Sequence, residues 1–261
     1  MVERLLCDDG ERVVVRAAAL AGGRIVLGAE ASRAEVATRG VERLRFALSL
    51  DDDLRPFYER FHSDPLIGGA LCADPAFRVH RRPEPFEALA WAITEQLIEY
   101  RRAAAIQRRI VARFGQRCPR TGLRAPPTAA TMAALAPAQL EACDLSAGRA
   151  LTLLRAARAV AAGRIDLHAA EHERGWQRLR AIRGIGAWTV EKLGLTGQGR
   201  YDQLPAGDLH YLELVGRLRA GGRRVYAVEA EVRACFAPYA PWAGLAGAYL
   251  LAAPRSGPAR T

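Results

Sequence analysis

The sequence predicts a mostly α-helical protein, α+β overall, with a small β-containing lobe over residues 1–50 and a helical core over 51–261. Three observations carry this. The first fifty residues hold short runs of β-branched residues around a Gly-Gly turn. From Asp51 onward apolar residues recur at helical spacing. Residues of about 176–198 then read as two helices joined by a glycine-bearing turn.

Arg12-Val-Val-Val-Arg16 and Arg24-Ile-Val-Leu27, separated by Gly22-Gly23, have the pattern of two hairpin strands. Val41 to Leu48 alternates apolar and polar residues and reads as a further strand. Asp51-Asp52-Asp53 is an N-cap run ahead of a helix from Leu54 to Phe61. Glu84 to Phe114 is long and periodic, with one break expected around Gln96 to Tyr100. Gln116 to Pro127 carries Pro and Gly and reads as a loop. Thr128, Ser146 and Asp166 are expected caps of short helices that run through Leu179. A final helical hairpin is expected from Asp208 to the C-terminus, with a low-complexity tail from Pro254 to Thr261. The most apolar stretch, Tyr239 to Pro254, is too short and too diluted by Gly and Ala for a membrane span, so a buried helix is expected.

The chain has 261 residues, half of them hydrophobic, which suffices for a sizeable core. The start, Met1 to Asp9, lacks a basic run followed by an apolar one, so no secretion signal is read. The five cysteines (Cys7, Cys72, Cys118, Cys143, Cys235) are odd in number and scattered, which argues against a disulfide framework or cysteine metal cluster and for a reduced cytoplasm. The net charge of +10 favours a polyanionic partner, with nucleic acid as the default. Lys192 is the single lysine, so the arginine richness follows from near-total arginine usage and does not by itself argue phosphate recognition.

The most informative segment is Leu179-Arg-Ala-Ile-Arg-Gly-Ile-Gly-Ala-Trp-Thr-Val-Glu-Lys-Leu-Gly-Leu195. A helix ends at Arg183, Gly184-Ile185-Gly186 turns the chain, and a second helix carrying Thr189 starts at once. Two glycines permit positive φ and let a phosphate approach without a Cβ in the way. The unpaired N–H groups of the new helix then face that phosphate. Ile185 would pack inward. An ordinary helix–helix turn fits this segment taken alone, since Gly-x-Gly is common. Downstream, Leu204-Pro-Ala-Gly-Asp-Leu-His-Tyr-Leu212 places Asp208 at a helix start 20 residues after Trp188. There it can serve as a simple N-cap, as a carboxylate beside a developing positive charge, or as both.

A Gly-Ile-Gly hairpin followed about 20 residues later by Pro-x-Gly-Asp resembles the helix-hairpin-helix DNA glycosylase superfamily, nearest to bacterial 3-methyladenine DNA glycosylase II. Pro85-Phe-Glu-Ala-Leu89, Pro127-Thr128, Leu145-Ser146, Gly163 to Leu167 and Pro241-Trp242 extend the likeness. The resemblance implies a glycosylase core of two helical lobes, duplex DNA containing a damaged base as partner, and Asp208 as the catalytic carboxylate, with Asp202 structural. It implies DNA gripped by Gly184, Ile185, Gly186 and Thr189, with Arg149 and Arg183 as helpers. A monovalent Na or K ion, structural and not catalytic, would be held by the carbonyls of Arg183 and Ile185. Lyase-type relatives carry lysine where this chain has Trp188, so water is the expected nucleophile and an abasic site the product. Only Cys235 lies where some relatives hold an iron–sulfur cluster, so none is expected, and no other cofactor.

A flipped base leaves a gap that an apolar side chain must fill. Glu95-Gln96-Leu97-Ile98-Glu99-Tyr100 aligns with the family's Gln-Leu-Val-Ser-like stretch, which makes Leu97 the expected wedge; a core leucine on an amphipathic helix is the competing reading. Glu95 and Glu99 replace the usual residues there, either as a solvated network with Arg101, Arg102 or Arg108, or as an anionic pocket wall. Trp188 and Trp91 are candidates to stack on a cationic base, while a core role also suits Trp91; the family's late C-terminal tryptophan falls near Leu250-Leu251. Lys192, one turn past Trp188, faces solvent or phosphate in one reading and attacks the sugar in another. The expected function is hydrolytic excision of alkylated or deaminated purines from DNA by a monomer. A non-catalytic lesion-binding protein is the alternative, and an RNA or nucleotide hydrolase a third.

Overall fold

The structure, a computed structural model, describes residues 1–8 and 10–253; the expected tail from Pro254 lies outside the described residues. Three strands open the chain, β1 (Val2–Asp8), β2 (Glu11–Ala19) and β3 (Ile25–Glu30), followed by α1 (Ala34–Ala47), α2 (Arg55–Phe61), α3 (Gly68–Ala73), α4 (Pro85–Glu95) and α5 (Tyr100–Phe114). Then come α6 (Ala129–Ala133), α7 (Pro137–Glu141), α8 (Ala147–Ala161), α9 (His172–Arg180), α10 (Ala187–Gly197), α11 (Leu209–Arg219), α12 (Glu229–Phe236) and α13 (Ala243–Ala252). The mostly helical, α+β fold read from the sequence is the one observed.

The sheet is antiparallel in the order β1-β2-β3. Because side chains alternate along a strand, its two faces bury different residues. Val13, Val15 and Ala17 pack against Val36 and Leu44 of α1, while Leu5 and Val14 pack against Cys118 and Ala125. The segment Val41 to Leu48 was expected as a strand and is the second half of α1. Its alternation competes with an i, i+4 stripe that begins earlier, at Val36, Gly40 and Leu44, and this stripe faces the sheet. Gly40 makes that approach possible, since a Cβ there would stand 2.6 Å from Val13 Cγ2.

Two compact units divide the chain, and each is discontinuous. The first joins Met1–Leu50 to His80–Gln198; the second joins Asp51–Val79 to the chain from Gly199. The β lobe thus groups with residues 80–198, and residues 51–79 group with the chain from Gly199. Ion pairs are one cause in the first unit. Arg4 of β1 donates to the buried Glu87 of α4, and Asp8 is held by Arg39 and Arg43. A single apolar cluster from α4, α5 and α8 to α10 fills the rest of that unit, with Leu89, Ile93, Ile106, Leu153 and Leu193 fully buried. In the second unit aromatic rings of α2 meet those of the C-terminal segment. Phe61 is edge-on to Tyr239 at 5.1 Å between centroids, and Phe57 lies 6.0 Å from Trp242.

Smaller expectations fare unevenly. Helix α4 ends at Glu95 and α5 starts at Tyr100, which is the predicted break. The Thr128 side chain caps α6 by accepting from the Thr131 N–H. Ser146 occupies the N-cap of α8 without such a bond, and its hydroxyl instead accepts from Arg149 Nε at 2.9 Å. Asp166 accepts from the His168 N–H in a turn, and the helix it was expected to cap starts only at His172. The C-terminal region holds three α-helices, α11 to α13, where a hairpin of two was expected. Helix α13 is the buried helix expected there, and none of the described helices is long and apolar enough to cross a membrane.

Candidate functional site

In the first unit the hairpin and the loop between α4 and α5 come together. Helix α9 ends at Arg180, three residues before the expected Arg183, and Gly184 turns the chain at φ +96°. Ile185 is buried in the main core, as expected, and Gly186 is the N-cap of α10. Thr152 of α8, not singled out from the sequence, supports the turn. Its hydroxyl sits between the carbonyls of Gly148 (2.9 Å) and Arg183 (3.1 Å), and a Cβ on Gly184 would stand 2.3 Å from it. The Arg183 carbonyl, one of the two expected to hold a monovalent cation, thus already accepts a hydrogen bond from Thr152. Around Gly186 a Cβ would meet nothing within 4 Å. The first turn of α10 therefore presents its unpaired N–H groups over an open approach.

Leu97 is fully exposed and adopts φ +55°, a conformation that strains a non-glycine residue. A core leucine would show neither feature. The loop that carries it is tied from two sides. Gln96 donates its side-chain amide to the Gly184 carbonyl (2.8 Å) and to Thr189 Oγ1 (2.9 Å). Arg149 donates to the carbonyls of Thr94 (3.0 Å) and Gln96 (3.1 Å). Arg149, expected to help with phosphate, is thus engaged in holding the loop. Gln96 is the residue whose role the sequence conceals most, since its partners lie about 90 positions away and neither is charged.

The remaining candidates around the loop fall into pairs. Lys192 Nζ lies 3.4 Å from Glu95 Oε2 and 5.8 Å from the centroid of the half-buried Trp188 ring. Glu95 therefore pairs with Lys192 rather than with the arginines of α5, and Lys192 is not simply directed to solvent. Arg102, one of those arginines, takes Asp144 instead, at 3.3 Å. Glu99 is the N-cap of α5 and makes no side-chain cap bond. The exposed Tyr100 stacks on Trp91 at 5.9 Å and 20°, and the Arg82 guanidinium lies over the Trp91 ring at 4.2 Å.

The second unit carries the carboxylate. Leu204, Pro205 and Ala206 are buried, and the Asp208 N–H donates to the Pro205 carbonyl at 2.9 Å, closing a turn that ends at the head of α11. Asp208 is the N-cap: Oδ1 accepts from the His210 N–H (2.9 Å) and from His210 Nδ1 (2.9 Å). Its side chain is 15% exposed, enough to reach solvent while its rotamer is locked. Burial, then the nearby Asp208 charge, push the Tyr211 phenol far above its ordinary range, so it remains a neutral hydroxyl. Burial would raise the Asp202 carboxyl, but hydrogen bonds from Arg200 and Gln203 hold it below the usual range, which marks it as a structural ion pair. His210 had no role in the sequence reading, although its place two residues after an N-cap aspartate is a recognisable signal.

A glycine hairpin thus leads into α10 of the first unit, and an aspartate caps α11 of the second. Residues 90–237 match the HhH-GPD superfamily of base excision DNA repair proteins, and the chain belongs to that family. It is 27% identical over 206 residues to a DNA-3-methyladenine glycosylase of Bacillus subtilis (strain 168), spanning 77% of this chain and 67% of that protein. Its fold is similar to that of a 3-methyladenine DNA-glycosylase from Archaeoglobus fulgidus, with TM-score 0.81 and 22% identity over 95% of this chain and 85% of that one. The 8-oxoguanine glycosylase/lyase of Clostridium acetobutylicum, in complex with double-stranded DNA, is similar at TM-score 0.71 and 18% identity, covering 95% and 86%.

Proposed function

We propose that this base excision repair protein is a monofunctional glycosylase that hydrolyses the N-glycosidic bond of a flipped, alkylated purine and leaves an abasic site. The observation that carries the reading is Asp208, a carboxylate fixed at a helix head by two bonds to one oxygen and still in reach of solvent. As the bond from C1′ to the base nitrogen breaks, its electron pair leaves with the base and the sugar becomes cationic. A preorganised anion lowers the energy of that state without having to reorganise. Water then bonds to C1′ and gives up a proton, for which the same carboxylate is a suitable acceptor. The base leaves free and the strand keeps its phosphodiester bonds.

Hydrolysis rather than β-elimination follows from two side chains. The position that holds a nucleophilic lysine in lyase-type relatives is Trp188, and Lys192 is held between Glu95 and that ring. Alkylated purine as substrate rests on the Bacillus relative and on Trp188, whose face suits a base bearing positive charge. Incubated with duplex containing a methylated purine, the protein should release free base and leave an alkali-labile but unbroken strand, with no adduct trapped by borohydride. Absence of released base, or a trapped adduct, overturns the reading.

Leu97 is the wedge in this account. Leu97→Ala should weaken binding to abasic-site duplex by roughly 10-fold while leaving thermal stability unchanged, because the side chain contributes nothing to the core. Equal affinity of the two proteins for abasic duplex removes the wedge role.

A further inference from the structure

Beside the hairpin, and sharing only Arg183 with the residues assigned above, the first unit has a cleft of about 600 Å³ lined by Arg155, Arg158, Arg164 and Arg183 together with Ala181 and Ile182. Its lining includes no acidic residue. Elsewhere many arginines face a carboxylate: Arg16 with Glu3, Arg33 with Glu11, Arg43 with Asp8, Arg102 with Asp144 and Arg219 with Glu231. Among the described residues none of the four cleft arginines meets a carboxylate, and all four are exposed. The guanidinium of Arg158 is directed to the carbonyls of Ala133 and Leu135. Arg155 and Arg158 share a face of α8 by their i, i+3 spacing, and Arg164 follows just past its end.

We propose that this cleft is a second site for the DNA sugar–phosphate backbone, which takes up the same duplex where it continues past the hairpin. Uncompensated charges in a concavity reinforce one another's field and attract a polyanion. The depression is broad and open, which suits an extended backbone segment rather than a single small ion. Arg183 and Ile182 belong to the hairpin turn itself, so the cleft is continuous with the surface that grips DNA in the proposed function, and the inference rests on that reading. Such a site adds sequence-independent affinity and lengthens the footprint on undamaged DNA. It contributes nothing at the reacting sugar.

The test uses Arg155→Ala/Arg164→Ala, both exposed positions whose guanidinium groups make no bond among the described residues. Binding to undamaged duplexes of about 12 and about 30 base pairs is measured between roughly 50 and 200 mM KCl, with thermal midpoints checked to be equal. Each lost phosphate contact should lower the log–log salt slope by about 0.9, so the double variant should lose about 2 on the long duplex and nearly nothing on the short one. Unchanged slopes on both lengths overturn the proposal, and so does an equal loss on both, which would place the arginines within the hairpin's own footprint. Base release from a short lesion duplex should stay at the wild-type rate. If the wild type releases no base at all, the catalytic reading fails while the salt slopes still decide the cleft.

Discussion

Asp208→Asn should slow single-turnover base release by on the order of 10²–10⁴-fold while duplex binding and thermal stability stay near wild type. The separation of effects follows from the geometry. Asn is as good an N-cap as Asp, so the bond from the His210 N–H survives and α11 keeps its start. What disappears is the negative charge and its capacity to accept a proton from water. A variant that unfolds instead would show that the residue matters chiefly as a cap. A variant that keeps full activity would remove Asp208 from the chemistry altogether.

The hairpin glycines should separate just as sharply, because one is enclosed and the other open. In Gly184→Ala the new methyl would be driven against Thr152 at a backbone angle that alanine resists. Strain and overpacking together should cost roughly 3 kcal/mol. In a chain of this size that lowers the thermal midpoint by about 10 °C. Its carbonyl also holds Gln96, so the Leu97 loop should loosen and affinity for abasic duplex fall by more than about 10-fold. Gly186→Ala differs. With φ −101° and nothing within 4 Å, its methyl fits the protein without strain and projects into the open approach to α10. Stability should fall by no more than about 1 kcal/mol, the cost of alanine at an N-cap, while DNA affinity is reduced. Thermal melts and duplex titrations on the two variants check both statements, and a Gly186→Ala protein that binds normally would mean that no phosphate approaches there.

The parts of this arrangement that could be read in the sequence are those written in neighbouring residues. The Gly184-Ile185-Gly186 turn, the inward Ile185, the interruption between α4 and α5 and the helix start at Asp208 each depend on a few consecutive side chains. What escaped the sequence depends on partners far apart. Strand β1 has a short apolar centre, Leu5-Leu6-Cys7, and becomes a strand by pairing with β2. Val41 to Leu48 alternates like a strand, yet the stripe from Val36 and the close seat of Gly40 on the sheet make it a helix. Residues 51–79 join the chain from Gly199 because Phe57 and Phe61 find Trp242 and Tyr239, and no local pattern announces that. At the site the same rule holds. Leu97 could be placed in a loop but not shown to be strained, and Glu95 could be seen to replace a family residue but not to take Lys192.

The central claim is that a fixed negative charge stabilises a cationic sugar. It can be tested without turnover by comparing two duplexes that differ only at the lesion, one holding a pyrrolidine ring that carries positive charge at the sugar position, the other its neutral tetrahydrofuran counterpart. Groups complementary to a transition state bind its charged mimic more tightly than the neutral form. Wild-type protein should prefer the cationic duplex by about 100-fold, and Asp208→Asn should erase most of that preference. Equal affinity of the wild type for both duplexes, or a preference that survives in Asp208→Asn, would contradict the account.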